Sequence, residues 1–377
     1  MPIDVPQSRR AMTRPSPPSA WATPAKLRAY VADIFGALGL ERDAAMIVAD
    51  ALVEADCEGI SSHGVMLVPL YVERIRAGSV SLAAAGTIVS DRGAAVVIDA
   101  GNALGQLTAR QAVDLLVARA PRYGFAAAAI RNAFHFGTAG RWARALAERG
   151  LIGVVMSNTR PLMPAPGGAE RVVGNNPLAI AMPSAGGCPV VFDMATSASA
   201  MGKIRLADAA GQKIPDDWAT DAQGRPTTDP AEAIKGMLLP AAGPKGFGLA
   251  FMIDLFCGGL SSGAVGDAVR PLYGNPAEPY GCAHFFLAIS IEHFRDLPGF
   301  SAQVAQLAER VRNSARAPGT SRLYSPGDPA RLAKEANAEA CPVAAEVALK
   351  LEDIGAGLGL SGAGVFRYRD NKGDADA

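Results

Sequence analysis

Between residues 94 and 156 the chain reads AAVVID (94–99), LTARQAVDLLVARA (107–120), AAAAI (126–130), GRWARALAE (140–148) and IGVVM (152–156). The first, third and fifth pieces are short apolar runs, the form taken by strands buried on both faces. The second and fourth are longer and mix charge with apolar residues, as an amphipathic helix requires. Strand and helix therefore alternate, which predicts an α/β (mixed α+β) architecture.

The pattern extends both ways. Upstream, Thr23-Pro24 reads as a helix cap followed by a first-turn proline. Leu27, Val31, Ile34, Phe35 and Leu38, then Ala44, Ile47, Val48 and Leu52, predict two amphipathic helices ending near Glu58. A loop over 59–64 leads into a helix over 65–77. Downstream, 178–182, 190–192 and 284–291 read as strands, and 248–260, 300–315, 329–340 and 342–351 as helices. Residues 208–230 are polar and turn-prone, which predicts a surface excursion.

Composition excludes several classes of function. The 36 basic and 36 acidic residues are dispersed and cancel, so no basic stripe offers itself to nucleic acid. No apolar run approaches the ~18 residues that cross a membrane. Arg9-Arg10 is followed by a proline-rich segment, Pro15–Pro18, and not by the apolar stretch of an export signal. Five scattered cysteines, Cys57, Cys188, Cys257, Cys282 and Cys341, form no CxxC pair. They predict reduced thiols in a cytoplasmic protein and no metal site.

Two generic motifs lie in the wrong context. Gly357-Leu-Gly-Leu-Ser-Gly362 satisfies GxGxxG, but a helix precedes it where a nucleotide-binding strand is required. Gly259-Leu-Ser-Ser-Gly263 satisfies the GxSxG of hydrolases, yet it ends a helix pattern and enters a Gly-rich loop. His284 and His293 lie downstream as potential bases, so a serine hydrolase using Ser261 is the alternative from another class. Gly202-Lys203 lacks the rest of a phosphate-binding loop.

The informative residues lie elsewhere. Of four histidines, His63 and His135 stand in Gly-flanked turns, SSHG (61–64) and FHFG (134–137). An accessible imidazole titrates near neutrality, as a group must that donates a proton while a C=O or C=N bond is reduced. A turn or capping histidine is the plainer alternative. VVFD (190–193) reads as a strand ending in an acid, with Ala195-Thr196-Ser197 opening a helical stretch whose N–H groups and hydroxyls suit a phosphate or ribose. Gly243-Pro244-Lys245-Gly246 opens another helix, and a first-turn lysine opposes the helix dipole unless an anion sits there. A solvent-facing lysine is the alternative. Ser157-Asn158-Thr159 and Asn175-Asn176-Pro177 are polar strand-end clusters of the kind that border sites or simply turn the chain.

Taken together and in order, GISSHG (59–64), NAFHFG (132–137), GNNP (174–177), FDMATS (192–197), GK (202–203), GPKGFGLA (243–250) and SPGD (325–328) resemble the malate/L-lactate dehydrogenase family often called type 2. These are NAD(P)-dependent oxidoreductases unrelated to the Rossmann-fold lactate dehydrogenases. The match spans about residues 25–368. The resemblance implies a family-specific fold, a mixed sheet flanked by helices, and a homodimer binding NAD or NADP outside a Rossmann domain. It implies hydride transfer to or from C2 of a small 2-oxo or 2-hydroxy acid, or alternatively reduction of a cyclic imino acid. His63 would exchange the proton, oriented by Ser62, with His135 in the same pocket; relatives differ in which histidine has that role. Asp193, Met194, Thr196, Ser197, Pro244, Lys245, Gly246, Gly327 and Asp328 would hold the cofactor. Asn176 and Thr159 would border the nicotinamide or substrate.

The implied layout is a disordered tail over 1–22, one catalytic unit over 23–369 and a frayed tail over 370–377. Within the unit the cofactor-binding part would occupy about 85–320, with helical parts at 23–80 and 321–369. One position departs from the pattern: most relatives carry an arginine four residues after the SHG histidine, where this chain has Leu67. Leucine cannot pair bidentately with a substrate carboxylate. Arg160 or Arg141 is then expected to supply the cation, and an apolar residue would equally suit an imino-acid ring.

Overall fold

The computed structural model describes residues 20–368. The tails expected at 1–19 and 370–377 lie outside the described residues. Positions 20–22 correct the expected tail boundary: Ala20–Ala22 form strand β1, paired with Cys341–Val343 (β11) and Arg367–Tyr368 (β12). The chain then enters helix α1 (Pro24–Ala37), capped by Thr23, whose side chain accepts the Lys26 N–H. Helix α2 (Arg42–Cys57) packs against it, and α3 (Val68–Arg76) follows two short 3-10 turns.

The centre is a seven-stranded sheet in the order β2 (Thr87–Asp91), β3 (Ala95–Asp99), β4 (Phe125–Ala133), β10 (Cys282–Ser290), β5 (Leu151–Ser157), β6 (Leu178–Met182), β7 (Val190–Met194). Only β3 and β4 run parallel; every other neighbour is antiparallel. The sheet is thus mixed, as expected. Helices α4 (Gly105–Tyr123) and α5 (Ala139–Ala147) cover one face. Small residues let them approach closely: a Cβ on Gly153 of β5 would meet Ala143 and Leu146 of α5. The other face carries α8 (Pro244–Asp254), which runs into a π turn over Leu255–Gly259.

A satellite core holds Met163, Val173, Ile204, Ile214, Ala219, Ala233 and Leu238. It gathers helices α6 (Met201–Ala209) and α7 (Pro230–Lys235) and the strand pair β8 (Ala219–Thr220) and β9 (Met237–Leu238). The expected excursion over 208–230 is therefore a small packed lobe. Helices α9 (Leu297–Arg312), α10 (Asp328–Ala336) and α11 (Ala345–Gly357) complete the chain. The helix expected over 342–351 starts later, because Cys341–Val343 pairs with β1. The helix expected to open at Ala195 opens only at Met201, since Thr196 and Ser197 bond across to the 239–241 segment.

Strand directions place the site. The ends of β4, β5 and β7 and the beginnings of β6 and β10 all open on one edge of the sheet. His135, Thr159-Arg160, Asn176, Asp193–Ser197 and the loop before Cys282 therefore gather there.

Candidate active site

His63 ends a 3-10 turn between α2 and α3, and His135 follows β4; their rings lie 5.3 Å apart between centroids. Each Nδ1 faces a hydroxyl. Ser62 Oγ is 3.0 Å from Nδ1 of His63, and Tyr71 Oη is 2.7 Å from Nδ1 of His135. Neither Nε2 has a partner among the described residues. Gln106 donates its amide to Tyr71 Oη at 3.1 Å, which leaves the phenol proton for His135. Desolvation lowers the His63 pKa to about 4. Burial, then the neighbouring His63 and His284, holds His135 well below the usual imidazole range.

Glycine and a buried acid shape this corner. The Asp56 carboxylate accepts the Val65 N–H at 2.7 Å and lies so close to Gly64 that a Cβ there would overlap it. Burial raises the Asp56 pKa to about 8. A Cβ on Gly105 would likewise strike the Phe134 carbonyl, so α4 starts directly against the His135 turn and delivers Gln106 to Tyr71.

The cofactor candidates divide. Asp193 opens onto a cavity of about 610 Å³ also lined by Ile60, Thr138, Gly140, Val191 and Gly327. Its Oδ2 accepts the Gly140 N–H at the start of α5, 2.8 Å away, and the other oxygen is left for a ligand hydroxyl. The surrounding walls raise its pKa by desolvation. Met194 stays within β7, paired with Leu178. Thr196 is buried with Oγ1 unpartnered, while Ser197 Oγ donates to Ser199 O at 2.8 Å. Ala241 N–H bonds to the Thr196 carbonyl, so Pro244, Lys245 and Gly246, the first turn of α8, adjoin this segment. Lys245 is exposed and has no acidic partner among the described residues. A cavity of this size with an open carboxylate has room for an adenosine. The α8 N-terminus with its exposed lysine lies beside the Thr196 segment, outside that cavity's lining, and suits a phosphate.

Several expected ligands are engaged in the fold instead. Asp328 is clamped by Arg312 at 2.8 and 2.9 Å and accepts the Ser325 N–H, so only Gly327 of that pair faces the cavity. Asn176 is fully buried; it accepts the Thr159 N–H and donates to Ala250 O, tying the Thr159 turn to α8. Thr159 Oγ1 bonds to Asn175 at 3.1 Å. Leu67 is 1% exposed and belongs to the main core. Arg141 pairs with Asp50 and Glu54 and lies over Trp142, so it is unavailable to a substrate. Arg160 remains: half-buried, without an acidic partner among the described residues, its pKa lowered by desolvation and by Arg171 and Arg205. Ser261 is buried, with Oγ donating to the Cys257 and Gly258 carbonyls, which leaves it no histidine partner and removes the hydrolase reading.

Tyr71, Gln106 and Asp56 escaped the sequence reading. Asp56 alone left a trace, as an acid on the apolar face of α2 between Val53 and Cys57.

The malate/L-lactate dehydrogenase family profile matches residues 22–352. The malate dehydrogenase of Pyrococcus abyssi is 34% identical over 346 residues, covering 89% of this chain and 94% of that one. The (2R)-3-sulfolactate dehydrogenase (NADP(+)) of Chromohalobacter salexigens is 35% identical over 288 residues, 76% of this chain and 86% of its own. The solved structure of sulfolactate dehydrogenase from Methanocaldococcus jannaschii superposes with a TM-score of 0.86 at 33% identity, over 90% of this chain and 98% of that one.

Proposed function

This chain belongs to the malate/L-lactate dehydrogenase family, and from that premise we propose how it acts as an NAD(P)-dependent oxidoreductase on C2 of a small 2-hydroxy or 2-oxo acid. The bound nicotinamide supplies or accepts the hydride. The observation that carries the reading is the facing pair of imidazoles, each Nδ1 held by a hydroxyl and each Nε2 free of the protein.

The two histidines then have different tasks. With Nδ1–H donated to Ser62, neutral His63 presents an Nε2 lone pair that takes the hydroxyl proton during oxidation. In reduction the same nitrogen, protonated, returns it to the developing alkoxide, and Ser62 keeps its bond throughout. His135 accepts the Tyr71 phenol proton at Nδ1, which fixes its own proton on Nε2. That N–H polarises the substrate oxygen without changing charge. Arg160 is the cation left to meet the carboxylate, because Leu67 is in the core and Arg141 is paired.

A second copy of the chain fits the face of α8 and the π turn. Phe251, Met252, Leu255, Phe256 and Leu260 are 39–56% exposed there, a contiguous apolar strip of the kind that marks an interface. The five unpaired cysteines, four of them buried, suit a reducing cytoplasmic compartment. Among the described residues no helix is long and apolar enough to cross a membrane.

The test is an absorbance assay of both reduced cofactors against pyruvate, oxaloacetate, other 2-oxo acids and cyclic imino acids, on wild type, His63→Ala and His135→Ala. A folded His63→Ala protein with wild-type turnover would remove His63 from the chemistry. Turnover of cyclic imines alone would move the substrate to that class.

A further inference from the structure

Tyr280 ends the 271–280 loop, just before the Gly281 turn (φ 64°) that leads into β10. Its ring is 5% exposed and stands edge-on to Phe134 at 6.1 Å. Phe134 precedes His135 and also meets the Tyr71 ring, at 5.0 Å. The Tyr280 carbonyl accepts the Arg270 N–H, but its hydroxyl has no hydrogen-bond partner among the described residues. That hydroxyl is not among the buried oxygens without a partner, so the phenol ends in accessible space with its donor free for a ligand oxygen.

The loop is fixed with care. Arg74, on the same helix as Tyr71, is 1% exposed and has no carboxylate partner among the described residues. It donates to the carbonyls of Glu278 (2.7 Å), Leu272 (2.8 and 3.1 Å) and Pro271 (3.0 Å). One helix thus orients His135 through Tyr71 and holds the Tyr280 loop through Arg74. Asn158 donates its N–H to the Ala283 carbonyl at 3.1 Å and accepts the Ala283 N–H at 2.7 Å. The chain leading from Tyr280 into β10 therefore runs beside the turn that carries Arg160, and the phenol is within electrostatic reach of that guanidinium.

We propose that Tyr280 and Arg160 together form the clamp for the substrate carboxylate, Tyr280 donating its hydroxyl proton to one oxygen while Arg160 pairs with the other. This rests on the proposed reaction and names what does the work that Leu67 cannot. Burial pushes the Tyr280 phenol well above its ordinary pKa, so it remains a donor across the working range.

The test uses Tyr280→Phe, which keeps the ring against Phe134, and oxamate, an unreactive carboxylate isostere of pyruvate. Binding of oxamate to the complex with reduced cofactor is followed by cofactor fluorescence. A lost hydrogen bond to a charged group should raise the oxamate Kd, and the KM of the 2-oxo acid, by about 10-fold or more. The cofactor Kd, the melting temperature and kcat should change little. Oxamate affinity within twofold of wild type overturns the clamp, and so does a parallel loss of cofactor affinity. Should the wild type bind cofactor yet neither bind oxamate nor turn over any acid in the panel, the reaction itself is misassigned and the clamp falls with it. An unchanged Tyr280→Phe in an active wild type refutes the clamp alone.

Discussion

Replacing Asp56 with Asn tests how the His63 turn is held. The folded chain keeps this buried carboxyl protonated up to about pH 8, because desolvation outweighs the single hydrogen bond from Val65. The unfolded chain releases the same proton near the ordinary carboxylate value, about 4. Between these values the folded state holds more protons than the unfolded state, so stability falls as pH rises through this window. One proton gives a slope of at most about 1.4 kcal/mol per pH unit. Asparagine keeps an acceptor for Val65 and removes the charge, so the stability of Asp56→Asn relative to wild type should climb by up to that slope from pH 5 to pH 8. Subtracting the two curves cancels most other titrations, though Cys57 and Cys341 stand close to the carboxyl. Denaturant titrations at pH 5, 6, 7 and 8 on both proteins read the difference. Parallel curves would refute the argument that Asp56 is held neutral.

Further outcomes separate site from scaffold. Tyr71→Phe frees Nδ1 of His135 and strands Gln106; kcat should fall about 10-fold or more while the cofactor Kd holds, read by steady-state kinetics and fluorescence titration. Arg141→Ala breaks the pairs with Asp50 and Glu54 and should lower the melting temperature with an unchanged KM; a raised KM at wild-type stability would return Arg141 to the substrate site. Phe251→Asp with Leu255→Asp should convert a dimer to a monomer in light scattering, and a wild type that is already monomeric would remove the second copy from the α8 face.

What the sequence disclosed depended on the range of the interaction. Short apolar runs located six of the seven central strands, since such a run is a local signal, even for Val190–Met194, which is not fully buried. The edge strand Thr87–Asp91 was missed because it is mostly exposed and carries no such run. His63 and His135 stood out because glycines frame their turns. Their partners did not. Tyr71 looks like one more apolar position on α3, and nothing near Gln106 shows that α4 begins against His135. Leu67 and Arg141 misled because a sequence gives positions and not directions: the core takes the Leu67 side chain, and Asp50 and Glu54 take the Arg141 guanidinium. Asp328 misled because Arg312, sixteen residues upstream, claims it.

The charges around the histidines argue for one more measurement. In the free protein His63 titrates near pH 4, burial holds His135 well below the usual imidazole range, and both Tyr71 and Tyr280 keep their protons, so Arg160 is the charge these groups leave unmatched. A bound carboxylate neutralises that guanidinium and places a negative charge near the imidazoles, and either change favours imidazolium. Substrate binding should therefore raise the His63 pKa. In the oxidising direction the neutral imidazole is the active form, so rates fall on the acid side. The limb in kcat/KM reports free enzyme, near pH 4, and the limb in kcat reports the complex, at higher pH. Coincident limbs, or a kcat limb at lower pH, would mean that the anion does not sit where His63 can sense it, and the placement of Arg160 beside the reacting carbon would be wrong.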